Sequence, residues 1–424
     1  MKRVFRIQSE GKVKEVGLRG LATVPAAEDV DSTVALIQAL IPLGLKAVAE
    51  TLEAEVVALA GEWYRRTGGQ SGLVRWSRAR GSVYLADQKL PITYTRVRDL
   101  PGKREVPLRT YQRLQEPRQA DRGVLLRVLR GLSCRAYREC AEAVPAAFGL
   151  SASTISRRFI RASARQLQRL CERRLEGYDV VALFLDGKTF AEDRMVIALG
   201  ITATGEKVLL GFVQTATENE TVCAAFLREL VERGLRIDQG LLCILDGAKG
   251  LWKAIQAVFG PQAVVQRCQW HKRENVVSYL PPAQQALWRR KLQAAYGQPT
   301  YPAAKAALLR LRRELTLLNA SAVASLDEGV EETLTLHRLG LVERLRRSLT
   351  TTNCLESIMA QLGQRTDKVD RWRNSDQKQR WVATALLDLE PHLRRIKGYR
   401  HLPLLRVALK RETTTITANQ EHVA

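Results

Sequence analysis

The 424-residue sequence has no apolar run long enough to cross a bilayer. The longest, residues 34–45, falls short of the roughly 20 residues a spanning helix needs and contains Pro42. The opening stretch, MKRVFRIQSEGK, holds no apolar signal core. Both absences set the expectation of a soluble, cytoplasmic protein with no membrane partner. The seven cysteines are odd in number and scattered, which argues against a disulfide framework and fits reduced thiols. Only five histidines are present, and only His271 stands near a cysteine, in Cys268-Gln-Trp-His271. A tetrahedral zinc site needs four ligands, and His337, His392, His401 and His422 supply no second close pair, so no zinc is expected. The Gly187-Lys188-Thr189 triplet lacks the glycine a phosphate-binding P-loop requires upstream, because position 182 is Ala.

Acidic residues are in deficit: 44 Asp and Glu stand against 67 Lys and Arg, a formal net charge of +23. With 46% hydrophobic residues the chain is an ordinary globular one, so the charge is no sign of disorder. Folding does not require that excess, whereas a polyanionic partner rewards it, because each neutralised phosphate releases counterions. Inside a cell the acidic partner is DNA or RNA.

The length points to two to four domains. Residues 27–65 carry helical periodicity, and residues 81–100 (GSVYLADQKLPITYTRVRDL) read as a β-hairpin with its turn near Asp87. Pro and Arg then punctuate the chain to about Arg118, read as a linker. From Asp121 the pattern is helical and basic. RAYRECAEAVPAAF, the turn Gly149-Leu150-Ser151, and ASTISRRFIRAS form a helix-turn-helix pattern. On its second helix, Ser153 and Arg157 share a face, as do Thr154 and Arg158, and these side chains suit base edges and phosphates. The plain alternative is a packed helical hairpin.

From Tyr178 the order becomes strand, strand, strand, helix, strand, helix, strand, which is the order of a ribonuclease H-like α/β fold. The expected domains are 1–118, a helical region with the β-hairpin; 119–176, the helix-turn-helix DNA-binding region; and 177–280, the first part of the ribonuclease H-like core. They continue as 281–345, an all-helical insertion; 346–400, the second part of the core; and 401–424, a basic C-terminal tail.

Asp186 and Asp246 each close an apolar run and precede a glycine. On neighbouring strands of an open α/β sheet they would face each other beyond the strand ends, where ligands bind. Two such carboxylates repel unless they share a proton or a cation, and Mg²⁺ is the natural oxygen-bound partner for phosphoryl displacement. Alone, an Asp-Gly pair merely ends a strand. Glu356, in TTNCLES, has two readings that spacing leaves open: a third metal carboxylate, or the reaching-back member of a capping box headed by Asn353. Trp270 and His271 suit DNA contact by stacking and hydrogen bonding, or packing beside the site. The arginines around Glu356 suit phosphates or a solvated face.

LDG at Asp186, LDGAKGLWKAI around Asp246, QRCQWHKREN around Cys268 and His271, and TTNCLESI around Glu356 resemble the Mutator-type DDE transposases of bacterial insertion sequences. The resemblance runs from about Gly81 to Trp381, and Cys-x-x-His is its most specific element. It implies a catalytic, metal-binding triad of Asp186, Asp246 and Glu356, with a helical insertion before the third member. Cys268, Trp270, His271 and Asn353 would lie near that site or touch DNA. The implied cofactor is Mg²⁺, with Mn²⁺ able to substitute. The implied reaction is cleavage at terminal inverted repeats and strand transfer into target DNA, both double-stranded. Joining two ends implies at least a homodimer on DNA, nucleoid-associated in the cytoplasm. The segments GKTFAEDRM and CLESIMAQLGQRTDK depart from the commonest pattern and suggest a divergent subgroup. The rival readings are a non-catalytic DNA-binding regulator derived from a transposase, and another ribonuclease H-like nuclease such as a junction resolvase.

Overall fold

A computed structural model describes residues 4–9, 12–17, 30–64, 72–85, 88–116, 118–140, 148–216 and 219–421. The turn near Asp87, most of the second half of RAYRECAEAVPAAF and the last three residues lie outside the described residues. Contacts divide the chain into two compact units. One comprises residues 1–123 and 137–152, the other residues 124–136 and 153–424. No helix among the described residues is long and apolar enough to cross a membrane.

The first unit opens with an antiparallel pair, β1 (Val4–Ser9) and β2 (Lys12–Gly17), followed by the helix α1 (Val30–Ala60). Strands β3 (Leu73–Leu85), β4 (Gln88–Asp99) and β5 (Arg104–Val106) make a three-stranded antiparallel sheet. Val48, Leu52 and Val56 of α1 recur at helical spacing and bury against Val83 and Val97 of that sheet. The stretch read as a linker is in fact structured: it holds β5 and the helix α2 (Arg109–Gln115). Tyr111 of α2 stacks on Tyr94 at 4.3 Å, a long-range contact that a Pro- and Arg-rich composition does not advertise. A side chain at Gly81 would strike the Tyr111 hydroxyl, so the close approach depends on that glycine.

Helices α3 (Arg118–Leu129) and α4 (Tyr137–Cys140) precede α5 (Ala152–Cys171). The second unit is then built on a five-stranded sheet: β6 (Val180–Phe190), β7 (Asp193–Thr202), β8 (Lys207–Thr215), β9 (Leu241–Leu245) and β10 (Ala263–Arg267). Their order across the sheet is β10-β9-β6-β7-β8. The first three pair antiparallel, and β6, β9 and β10 run parallel. Period-two alternation divides the central strand between two faces. Leu183 and Leu185 pack with α6 (Glu220–Glu232) and α7 (Lys249–Phe259), whereas Ala182, Phe184 and Asp186 share the opposite side.

After β10 comes α8 (Gln269–Ser278), and then a helical block, α9 (Pro282–Tyr296), α10 (Tyr301–Thr316), α11 (Ala320–Asp327), α12 (Val330–Thr333), α13 (Thr335–Arg338) and α14 (Val342–Leu349). The buried Gln266 amide ties this block to the sheet: it donates to the Thr333 carbonyl and accepts from the Leu336 amide. Helices α15 (Asn353–Thr366), α16 (Ser375–Leu389) and α17 (Leu402–Glu421) complete the unit. The segment read as a basic tail is therefore mostly helix. Leu402, Leu405 and Leu409 share one buried stripe, and Arg406 ties it down through the carbonyls of Val180 and Gly240.

Candidate functional site

Asp186 does not end its strand. The strand β6 continues to Phe190, paired to β7 through Asp186↔Ile197 and beyond. What ends is its parallel partner: β9 pairs with β6 up to Leu185↔Leu245, and Asp246 follows at once. Asp186 thus sits where one side of β6 loses its neighbour, only 7% exposed. The Asp246 carboxylate accepts a hydrogen bond from the Ala248 amide at 3.0 Å, bracing the turn into α7. Gly247 adopts φ +106°, and any side chain there would collide with the Arg267 guanidinium, so the turn requires glycine.

The third carboxylate arrives on α15. Lys188, two residues beyond Asp186 on β6, donates to the Met359 carbonyl at 2.6 Å and pins that helix to the strand. The Asn353 capping arrangement is absent: the residue before the helix is Thr352, and its side chain makes no cap bond. Thr352 is fully buried and donates its hydroxyl to Glu356 Oε1 at 2.6 Å. That spends its one proton, so at 3.2 Å it accepts from His271 Nδ1. The other ring nitrogen of His271 lies 3.9 Å from Glu356 Oε1.

Cys268 joins the same cluster from below. It is buried and N-caps α8, its sulfur accepting from the amides of His271 at 3.5 Å and Thr352 at 3.4 Å. Its own amide donates to the Leu245 carbonyl. The Cys-x-x-His motif therefore locks together the end of β9, the start of α8 and the start of α15, the elements that carry or adjoin Asp246 and Glu356.

The electrostatics follow from this crowding. Burial first, and then the charges of Asp246 and Glu356, together raise the Asp186 carboxyl to about 7 against the opposing pull of His271 and the Gly187 amide. His271 is pushed up to about 9, chiefly by hydrogen bonding with Cys268, against its burial, with help from Glu356 and Asp186. Burial alone would raise the Cys268 thiol, but hydrogen bonds from His271 and Thr352 outweigh it and lower it. Asp186, Asp246, Glu356, Cys268 and His271 thus form one interacting set. As positioned, no three His, Cys, Asp or Glu side chains among the described residues close around an ion.

The proposed DNA-reading residues fare unequally. On α5, Ser153 and Arg157 are exposed and Thr154 is half-buried. Arg158 is only 2% exposed, because it falls on the apolar stripe with Ile155, Phe159 and Ala162, and it is withdrawn from the DNA-facing set. Of the first helix of the motif only α4 is described, and it belongs to the other compact unit from most of α5. A stripe missed by the sequence reading is Arg157, Arg161, Arg165 and Arg169, all exposed and four residues apart. Thr352 was missed as well; its only local signal is its place just ahead of a helix.

A family model described as "Transposase, Mutator family" matches residues 98–395. The transposase for insertion sequence element IST2 of Acidithiobacillus ferrooxidans is 32% identical over 174 residues, covering 41% of this chain and 57% of that relative. The transposase for element IS6120 of Mycolicibacterium smegmatis is 29% identical over 224 residues, 51% and 68% respectively. For the transposase of element IS905 of Lactococcus lactis subsp. lactis the figures are 29% over 261 residues, 59% and 64%. The chain spans between about half and two thirds of the length of these relatives.

Proposed function

The chain belongs to the Mutator family of transposases, and on that premise we propose that it cleaves DNA at the ends of an insertion element and transfers the freed strand into target DNA. Asp186, Asp246 and Glu356 are its catalytic carboxylates. The observation that carries this reading is that the half-exposed Asp246 and Glu356 both act electrostatically on the buried Asp186, whose carboxyl is held at about 7 by burial and by those two charges. The strand order supports a ribonuclease H-like core, since three antiparallel strands are extended past the first by two parallel ones. In such a sheet the edge where β9 stops and β6 continues is where a ligand enters.

The donor set fits a hard divalent cation: three carboxylates, with a histidine as the positive group that opposes them at Asp186. Mg²⁺, or Mn²⁺ in its place, would be held by Asp186, Asp246 and Glu356, and when bound it supplies activation of the attacking oxygen and stabilisation of the leaving one. The chain's own work is positional. Lys188 holds the Glu356 helix against β6, and Thr352 orients the Glu356 carboxylate. The exposed arginine stripe on α5 binds DNA phosphates, with Ser153 and Arg157 nearest the bases. Two ends must be joined, so the working assembly on DNA is at least a dimer.

The test is nicking of a supercoiled plasmid carrying the element's ends. Wild-type chain nicks it with Mg²⁺ and not with EDTA, whereas Asp186→Asn binds the same DNA and gives no product above background. Nicking retained by Asp186→Asn would remove the assignment, and a wild type that binds without ever nicking would make the chain a regulator.

A further inference from the structure

Beside the carboxylate cluster lies a cleft of about 590 Å³ whose lining contains four arginines and no acidic residue. Trp270 and Arg273 of α8 form one wall, and Arg290 of α9 faces them. Arg346 and Arg347 of α14 and Asn353, the first residue of the helix carrying Glu356, close it. Arg273 is engaged by Glu274 at 2.9 Å, and Arg346 donates to the Gly297 carbonyl at 3.3 Å. Arg290 and Arg347 are exposed and have no partner among the described residues. The N-termini of α8 and α15 both border the cleft, and the positive ends of their helix dipoles add partial positive charge.

Trp270 is the unusual member. An indole 40% exposed is unremarkable alone, since isolated apolar side chains are common on surfaces. Here it borders a cleft whose charged residues are all arginines, and its ring stands edge-on to His271 at 4.8 Å. The imidazole in turn lies 3.9 Å from Glu356. One ring therefore separates the indole from the carboxylates.

We propose that this cleft binds an unpaired nucleotide of the DNA strand that enters the carboxylate site, with its base on the Trp270 face and its phosphates on Arg290 and Arg347. The inference rests on the reading of Asp186, Asp246 and Glu356 as a DNA-processing site and adds to it the form of DNA that the site receives. Size favours a nucleotide over a duplex, because the cavity falls within the roughly 300–1,000 Å³ of small-molecule sites. Chemistry favours an unpaired base, because an aromatic ring stacks on any base face that has left its own stack.

The experiment is fluorescence anisotropy of the full chain in EDTA, with a dye-labelled single-stranded DNA of mixed sequence and a duplex of equal length. Trp270→Ala weakens single-strand binding by on the order of ten-fold and duplex binding far less. Trp270→Phe restores most of the affinity. Replacing Arg290 and Arg347 by Ala lowers the single-strand salt slope by roughly 0.7 for each phosphate no longer neutralised. Equal single-strand affinity of wild type and Trp270→Ala, or equal weakening on both DNAs, overturns the proposal. Cleavage plays no part in these measurements, so their failure beside intact Mg²⁺-dependent nicking sinks the cleft alone. Failure of the Asp186→Asn test leaves this binding result standing.

Discussion

An ionised Asp186 is expensive where it sits, buried in the sheet and facing two more carboxylates. Its proton is held up to about 7, well above the ordinary 3.8. A carboxyl raised in the folded state favours folding below its unfolded value, and that contribution disappears as pH climbs through the folded value. Above about pH 7 the folded chain therefore carries the full cost of the charge. Asp186→Asn should accordingly raise thermal stability in EDTA at pH 8, by on the order of 1–4 kcal/mol, with the gain shrinking as pH falls toward 4. A gain of equal size at both pH values would show that packing, not charge, is responsible. Thr352 makes a second test at this scale. Thr352→Val removes the hydroxyl that orients Glu356, and the Mg²⁺ concentration needed for half-maximal nicking should rise roughly 10–100-fold, with Thr352→Ser close to wild type. An unchanged metal requirement in the Val variant would show that Glu356 needs no such support. The two aspartates were legible because each closes an apolar run before a glycine. Thr352 was not, because its role depends on Cys268 and His271, which lie 84 and 81 residues away in the sequence across the helical block.

Single elements explain where local sequence misleads. Residues 101–118 look like a linker by composition, yet a short strand and helix form there because β4 and the Tyr94 ring offer them partners. The C-terminal segment looks like a charged tail, yet its leucines recur on one face and find a sheet to cover. On α5 the four-residue spacing that grouped Thr154 with Arg158 was sound geometry applied to the wrong face. Ile155 and Phe159 take that side into the core, and Arg158 goes with them. The arginines left outside, at 157, 161, 165 and 169, form the usable surface. If they bind phosphates, replacing Arg157 and Arg161 by Ala should weaken duplex binding across sequences and lower the salt slope by about 0.9 for each phosphate left without its arginine. Binding measured from low to high salt settles it, and an unchanged slope would move the DNA elsewhere.

At the scale of the whole molecule, the +23 charge and the order of strands and helices along residues 178–267 were readable in advance because both are written in composition and periodicity. The meeting of β6, β9, α8 and α15 was not, because Asp246 and Glu356 are separated in sequence by the whole helical block. Glu356 is accordingly the member of the trio on which the account depends most. The decisive measurement is strand transfer of a pre-cleaved element end into target plasmid in Mg²⁺, comparing wild type with Glu356→Gln after confirming equal DNA binding. Joined product is expected from wild type and none above background from the variant. Joined product from Glu356→Gln at the wild-type rate would contradict it.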